Sequence, residues 1–504
     1  MGIFEHYQKR YEQKLDEEYT LQEFLDICKE DRSAYMSASE RLLLAIGDAE
    51  IIDTAKNPTL SRIFSNRLIS RYPAFKDFYG MEDAIEQIVA YLKHSAQGLE
   101  ESKQILYLLG PVGGGKSSLA EKLKSLMQKV PIYILSANGV RSPVNDHPFC
   151  LFDVDEDGQL LRDEFNIPSR YLKTIMSPWA VKRLHEFGGD ISKFRVVKVY
   201  PSILDQLAIA KTEPGDENNQ DISSLVGKVD IRQLEHYSQD DADAYAYSGA
   251  LCRANQGIME FVEMFKAPIK VLHPLLTATQ EGNYNGTEGL SALPYSGIIL
   301  AHSNESEWST FKNNKNNEAF LDRVYIVKVP YCLRVSEELQ IYKKLIQNSE
   351  LSQAPCAPGT IETLAQFSVL SRLKVPENSS IYSKMRVYDG ESLKDTDPKS
   401  LYDAILQTKE GGAVMTPSIA LKTLNLLRSP LETKITEEEE IVKLTNREIE
   451  VLEQLSKGLK YNAIAENLFL SPGTIRKHVE NIYTKLQVHN KLEAIQKAKN
   501  NKLI

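Results

Sequence analysis

The chain is 504 residues long, 42% hydrophobic and 26% charged, an ordinary globular composition for two to four domains. Sixty Lys and Arg face 69 Asp and Glu, which excludes a wholesale nucleic-acid coat or polybasic membrane binder, since either needs a positive field over most of its surface. The balance is uneven: residues 443–504 hold 11 basic and 6 acidic side chains, or +5, leaving 49 basic and 63 acidic, or −14, for the rest.

The five cysteines (Cys28, Cys150, Cys252, Cys332, Cys356) are scattered and form no Cys-x-x-Cys pair, which suits a reducing compartment and argues against a disulfide scaffold or zinc site. No apolar run exceeds five residues (Ile105–Leu109), far short of the roughly 18 a membrane span needs. The start MGIFEHYQKR lacks a signal-peptide core, and His6 stands where myristoylation wants Ser or Thr. A cytoplasmic protein without a membrane partner is expected.

In chain order, residues 1–75 read as a helical segment, with Ser37-Ala38-Ser39-Glu40 as a polar helix start. Ile85, Ile88, Val89 and Leu92 recur at helical spacing, so Glu82–Leu92 reads as an amphipathic helix. Gln104–Leu109 reads as a strand, followed by a glycine loop and a helix from Lys116. Pro131–Leu135 reads as a second strand continuing an α/β alternation. Residues 139–250 are acidic and turn-rich and read as an irregular insertion. Apolar strands return at Ile258–Val262, Ile298–Ala301 and Val324–Val329. The core thus spans 76–330, a helical lid-like region 331–397, a remnant helix and acidic linker (Glu437–Glu440) 398–440, and a compact helical unit 441–504.

Gly110-Pro-Val-Gly-Gly-Gly115-Lys116-Ser117 fits G-x-x-x-x-G-K-[ST] between a strand and a helix. Glycines let backbone N–H groups turn inward around phosphate oxygens, aided by the positive end of the following helix. Gly110, Gly113, Gly114, Gly115, Lys116, Ser117 and Ser118 are the expected ATP contacts, with Lys116 reaching the β/γ-phosphates and the Ser117 hydroxyl holding Mg²⁺. Three downstream groups are candidates for hydrolysis. Glu263 ends an apolar strand where a base orients water. Ser303-Asn304 is a polar pair at a strand end suited to the same water. Arg323, in Ala319-Phe-Leu-Asp322-Arg323, is placed to reach a neighbouring subunit's γ-phosphate.

At these residues, 1–397 resembles the AAA+ part of the PrkA family of bacterial serine protein kinases. The resemblance is carried by IFEHYQKRYE, RIFSNRLISRYPAFKDFYGMEDAIEQIV, QILYLLGPVGGGKSSLAEKL, EFVEMFKAPIKVLHPLLTATQEGNY and SKMRVYDGESLKDTDPK. It implies an AAA+ fold, ATP and Mg²⁺ binding and a homo-oligomer, with Gly110–Ser117 as Walker A, Glu263 as the Walker B glutamate, Asn304 as sensor 1 and Arg323 as the finger. Two departures stand out. Val262 replaces the Asp that usually precedes the Walker B Glu, so hydrolysis is slow or Glu260 or another carboxylate substitutes. There is also no H-R-D-x-x-x-x-N and no D-F-G, the parts that position hydroxyl and metal in ordinary protein kinases. The kinase reading therefore rests on the family resemblance, and a protein substrate follows from it alone.

Asp153-Val-Asp155-Glu-Asp157-Gly158 with Glu164 satisfies a calcium-loop pattern, but Pro143, Pro148 and Pro168 spoil the flanking helices, so an acidic surface loop is the favoured reading. His147 and Cys150 have no partner pair and read as structural.

In the basic tail, Thr445-Asn-Arg-Glu448 is a capping box opening a helix with Ile449, Leu452 and Leu455 inward and Gly458 as stop. Tyr461–Leu468 is a short second helix presenting Ile464, Ala465 and Leu468. Ser471-Pro472 caps a third carrying Ile475, Val479, Ile482 and Leu486 inward. Two helices, a tight turn and a basic third helix follow helix-turn-helix logic. LTNREIEVLEQLSKGLKYNAIAENLFLSPGTIRKHVENIYTKLQVHNKLEAI resembles the LuxR/NarL-type DNA-binding domain over its whole length. That resemblance implies a third helix in the major groove of double-stranded DNA, with Arg476 and Lys477 at base edges or nearby phosphate, Thr474, His478 and Lys485 at the backbone, and Glu480 departing from the usual basic residue. Residues 400–430 resemble the last helix of a response-regulator receiver and its linker. No receiver precedes them, so aspartyl phosphorylation is not the input, and the join near Lys399 reads as a fusion of two genes.

The expected whole is an α/β P-loop AAA+ domain with helical N-terminal segment and lid, followed by an all-α LuxR-type helix-turn-helix domain, acting in stress or transcriptional signalling. Its rivals are an ATP-driven remodeller or protease-like machine and a non-hydrolysing scaffold.

Overall fold

The computed structural model describes residues 3–5, 16–214, 221–287, 289–314, 317–353, 357–409, 446–456, 461–468, 470–471, 474–475, 477–479 and 481–482. The chain divides into two compact units, Met1–Arg428 and Ser429–Ile504.

The first unit is organised by a five-stranded parallel sheet. Its strands are β1 (Ile105–Leu109), β2 (Ile209–Thr212), β3 (Ile258–Val262), β4 (Ile298–Ser303) and β5 (Val324–Lys328), in spatial order β5-β1-β4-β3-β2. β1 lies between two neighbours and reads ILYLL without a polar residue, because a strand covered on both faces has no solvent side to alternate with. The period of two sends Tyr107, Phe261 and Ala301 to one face and Leu106, Leu108 and Leu300 to the other. Helix α1 (Lys116–Met127) covers the second face with Leu119, Leu123 and Leu126, joined by Ile85, Ile88 and Leu92 of helix Glu82–Ala96. Helix α2 (Ile269–Glu281) covers the first with Leu272 and Leu275. Helix α3 (Glu305–Lys312) follows β4 directly.

Pro131–Leu135 does not continue the parallel alternation. Ile132–Ala137 belongs to a separate antiparallel sheet, ordered Glu17–Thr20, Arg195–Val199, Ile132–Ala137, Val140–Arg141. The parallel sheet's second strand is instead β2, inside the stretch read as irregular. That stretch is built of elements of two to nine residues, such as Gly158–Phe165 and Pro178–Glu186. Such short pieces escape a periodicity window of 11–18 residues. The segment before residue 75 likewise holds more than helices: Glu50–Asp53 pairs with Leu68–Arg71 as an antiparallel hairpin. The start at Ser37 forms as read, its hydroxyl accepting from Glu40 N while the Glu40 carboxylate returns to Ser37 N.

The calcium-like carboxylates serve their own turn. Asp153 Oδ1 accepts from Asp155 N (2.7 Å) and Asp157 Oδ2 from Asp153 N (2.8 Å). Cys150 is buried and His147 half-buried, and His147 Nδ1 accepts from Phe149 N.

Beyond the sheet come helices α4 (Val335–Gln347), α5 (Thr360–Arg372), α6 (Ile381–Tyr388) and α7 (Ser400–Lys409). The α7 segment, worded like a receiver's last helix, is bound into this helical group. Ala404 is fully buried and its carbonyl accepts from Tyr388 Oη (2.7 Å). The buried Asp403 carboxylate accepts from Asn378 N, Asn378 Nδ2 and Ser379 Oγ. The linker at 410–440 lies outside the described residues. Among the described residues no helix is long and apolar enough to cross a membrane.

The second unit contains α8 (Asn446–Ser456) and α9 (Tyr461–Leu468). Val451, Leu452, Leu455, Ile464, Ala465, Ile475, Val479 and Ile482 are buried, whereas Ile449 and Leu468 are half-buried. Thr445, Gly458, Pro472 and Leu486 lie outside the described residues.

Candidate nucleotide site

The carboxyl ends of β1, β3 and β4 meet at one edge of the parallel sheet. Leu109 pairs in register with Ser303, and Glu263 N donates to His302 O (2.9 Å). Gly110, Glu263 and Asn304, each the next residue after its strand, are therefore gathered at that edge. Open parallel sheets bind ligands there, outside the carboxyl ends of their strands.

Two glycines of the loop answer specific constraints. A Cβ on Gly110 would lie 2.0 Å from the Val329 carbonyl oxygen, so no larger residue fits where the chain leaves β1. Gly115 has φ +90, and a Cβ there would stand 2.3 Å from Met81 Cε. Lys116 is 8% exposed and its ammonium donates to the Gly110 and Pro111 carbonyls, both at 2.7 Å. Burial holds the Lys116 ammonium below the usual lysine value, against the opposing pull of Glu307, Glu305 and Glu263. Ser117 and Ser118 are exposed at the first turn of α1.

Glu263 is the N-cap of a short 3-10 turn at φ 48, and its carboxylate is ion-paired to Lys266 (2.5 Å). Asn304 is the N-cap of α3: its Oδ1 accepts from Glu307 N, and its Nδ2 donates to Glu307 Oε1, both at 2.9 Å. Glu307 Oε1 also lies 3.7 Å from Lys266 Nζ, while Glu307 Oε2 is buried and has no hydrogen-bond partner among the described residues. Glu307 and Glu305 belong to this site, although no catalytic motif in the sequence marks them. The signal available was an Asn N-cap followed three residues later by Glu.

Glu260 does not join the edge. The strand alternation turns it toward α1, where it meets Lys124 Nζ (2.5 Å) and His302 Nε2 (3.1 Å) at 2% exposure. Burial alone would raise the Glu260 carboxyl, but His302 and Lys124 hold it below its usual value. It is engaged inside the core and is not the substitute carboxylate for Val262.

Arg323 sits at the opposite end of β1, its carbonyl accepting from Ile105 N (2.8 Å). Four steps along the strand separate Ile105 from Leu109, roughly 13 Å, so Arg323 is not gathered with Lys116 of its own chain.

Beside the loop a cavity of about 390 Å³ is lined by Arg62, Met81, Tyr331, Arg334, Tyr388 and Leu401 among others. Tyr331 Oη donates to the Val112 carbonyl (2.8 Å), tying the cavity wall to the phosphate loop.

The sequence profile described as the PrkA AAA domain matches residues 19–380, most of the chain. The chain belongs to the PrkA AAA family. Its PrkA part is 80% identical over 400 residues to the serine/threonine kinase YeaG of Escherichia coli (strain K12), an overlap covering 79% of this chain and 62% of that protein. It is also 36% identical over 397 residues to the ATP-dependent protease PrkA of Bacillus subtilis (strain 168), covering 76% of this chain and 59% of that protein. The chain thus spans about three fifths of the PrkA relatives it matches.

Behind the PrkA part, the profile described as bacterial regulatory proteins, luxR family, matches residues 442–498. The transcriptional regulatory protein LnrK of Bacillus subtilis (strain 168) is 36% identical over 109 residues, covering 21% of this chain and 50% of that protein. The chain is therefore a PrkA-type AAA+ unit carrying a LuxR-type helix-turn-helix unit. In that second unit Ser471 Oγ accepts from Thr474 N (3.1 Å) and caps the next helical segment. Thr474 and Lys477 are exposed and His478 is half-buried. Arg476, Glu480 and Lys485 lie outside the described residues.

Proposed function

We propose that the chain binds MgATP at its phosphate loop and uses the bound nucleotide to control assembly on double-stranded DNA. The observation that carries this reading is the phosphate loop itself: a buried Lys116 ammonium held on two loop carbonyls, at a sheet edge that also collects Glu263, Asn304 and Glu307. ATP would draw Lys116 off Gly110 O and Pro111 O onto its phosphate oxygens, and the loop N–H groups would complete the cradle. The base would enter the cavity bounded by Met81, Tyr331 and Arg334. Mg²⁺ would be held by the Ser117 hydroxyl, and the orphaned buried Glu307 Oε2 fits a cation. When bound, the ion neutralises charge on the β- and γ-phosphates.

Arg323, remote from its own Lys116, suits contact with the nucleotide of a neighbouring copy. Such assembly would bring several LuxR-type units together and raise their effective concentration on adjacent half-sites. Thr474 and Lys477, three residues apart on one exposed face, would meet DNA. Transcription regulation is the role this combination fits.

A second reading, phosphoryl transfer to a serine of a protein substrate, is favoured by the 80% identity to a protein named a serine/threonine kinase. It predicts labelled phosphoserine lost in Lys116→Ala. The primary reading is tested by titrating the full chain with a fluorescent ATP analogue and Mg²⁺. Saturable binding abolished by Lys116→Ala supports it; equal binding by the two proteins removes it.

A further inference from the structure

The position that resembles the metal-side Asp of Walker B is Val262, which has no ligand atom. The adjacent Glu263 is a poor replacement, since its carboxylate is ion-paired to Lys266 at 2.5 Å and its side chain is 39% exposed. Glu307 has the opposite character. It stands in the first turn of α3, four residues beyond a strand end that lies in register with the last residue before Gly110. Asn304 Nδ2 fixes one carboxylate oxygen at 2.9 Å, and the side chain is only 15% exposed. The other oxygen is buried and has no donor among the described residues.

An ordinary capping box does not explain this arrangement, because there the N3 carboxylate accepts from the N-cap backbone N–H. Here it accepts from the N-cap side chain, and the second oxygen is left over. A buried carboxylate oxygen left without a partner is costly, so a fold that retains one calls for a cation. The surroundings agree. Glu307, Glu305 and Glu263 are the acidic groups acting on Lys116, and Lys266 bridges two of them. Three carboxylates would repel a metal-free triphosphate and accept one whose charge a divalent ion has reduced.

We propose that Glu307 is the metal-side carboxylate of this nucleotide site, replacing the Asp that Val262 lacks, with Asn304 as the residue that positions it. The assignment rests on the MgATP reading above and deepens its metal side, where Val262 offers no ligand.

The test uses the full chain with a non-hydrolysable ATP analogue and Mn²⁺, whose free ion is followed by electron paramagnetic resonance. Nucleotide affinity without metal is measured separately in EDTA. Glu307→Gln keeps the shape and removes the charge, so Mn²⁺ affinity of the nucleotide complex should fall about ten-fold or more, while metal-free nucleotide affinity holds or rises. Glu281→Gln, at the exposed C-terminal end of α2, should change Mn²⁺ affinity less than two-fold. The assignment is overturned if Glu307→Gln stays within two-fold of wild type, or if Glu263→Gln loses as much Mn²⁺ affinity. Loss of metal-free nucleotide binding in Glu307→Gln also overturns it, since the residue would then serve the fold or the phosphates. Failure of the wild-type chain to bind nucleotide with or without metal is a different result and removes the MgATP reading itself.

Discussion

Glu260→Gln isolates the carboxylate that is buried inside this core. Glu260 and Lys124 side chains are 2% and 3% exposed and meet at 2.5 Å, with His302 on the other carboxylate oxygen. Removing one partner of a buried pair typically costs 3–5 kcal/mol because the remaining charge is stranded. Lys124 retains Glu121 at 2.6 Å, whose side chain is 58% exposed, so a loss near the lower limit, about 3 kcal/mol, is expected. That is more than a hundred-fold in the folded-to-unfolded ratio. Both tryptophans, Trp179 and Trp308, lie in the first unit, so their fluorescence during urea unfolding reports this unit alone. The midpoint should fall at constant m-value, while the folded variant binds nucleotide with wild-type affinity. The pair Lys124→Met with Glu260→Met, which removes both charges and preserves bulk, should recover most of the loss. A loss below 1 kcal/mol, or weakened nucleotide binding in the folded variant, would refute the assignment of Glu260 to the core.

Three further outcomes are expected. Asp403→Ala strips three hydrogen bonds from the attachment of α7, so hydrogen exchange across 400–409 should accelerate by one to two orders of magnitude, about 2 kcal/mol of local stability. His147 is pushed down to about 3 by burial, with the Arg41 charge adding. Its unfolded value is near 6.5, so the unfolded chain binds the extra proton and stability falls as pH drops from about 6.5 toward 3. The loss is about 2 kcal/mol at pH 5, and urea midpoints across pH should show this component missing in His147→Gln. Lys477→Ala should weaken duplex binding uniformly across sequences and lower the slope of log K against log salt by about one, measured by anisotropy.

Local signals carried much of this molecule. A phosphate loop is a contiguous motif with a required strand-loop-helix context, so Gly110–Ser117 was legible outright. The strands β1, β3, β4 and β5 were legible as apolar runs, and the buried stripe Ile475, Val479 and Ile482 as helical spacing. What stayed hidden depends on which element pairs with which. Ile132–Ala137 has the composition of a parallel core strand, and only its antiparallel partner Arg195–Val199, about sixty residues later, decides its sheet. β2 is four residues, IAKT, too short to stand out from the turns around it. Glu260 and Glu263 look equivalent in GIMEFVE. The strand alternation separates them, sending Glu260 under α1 and leaving Glu263 at the edge. Glu307 needed the register of β4 against β1 before its position meant anything. The α7 segment shows a further limit: its wording resembles one protein and its contacts, Asp403 and Ala404, serve another.

The central claim is that nucleotide at Lys116 governs DNA association through the LuxR-type unit, and it is tested most directly by duplex-binding titrations of the full chain at fixed salt. With MgATP the affinity should rise about ten-fold over the nucleotide-free chain through assembly, and Lys116→Ala should abolish the increase. Equal affinity with and without MgATP, unchanged by Lys116→Ala, would contradict it.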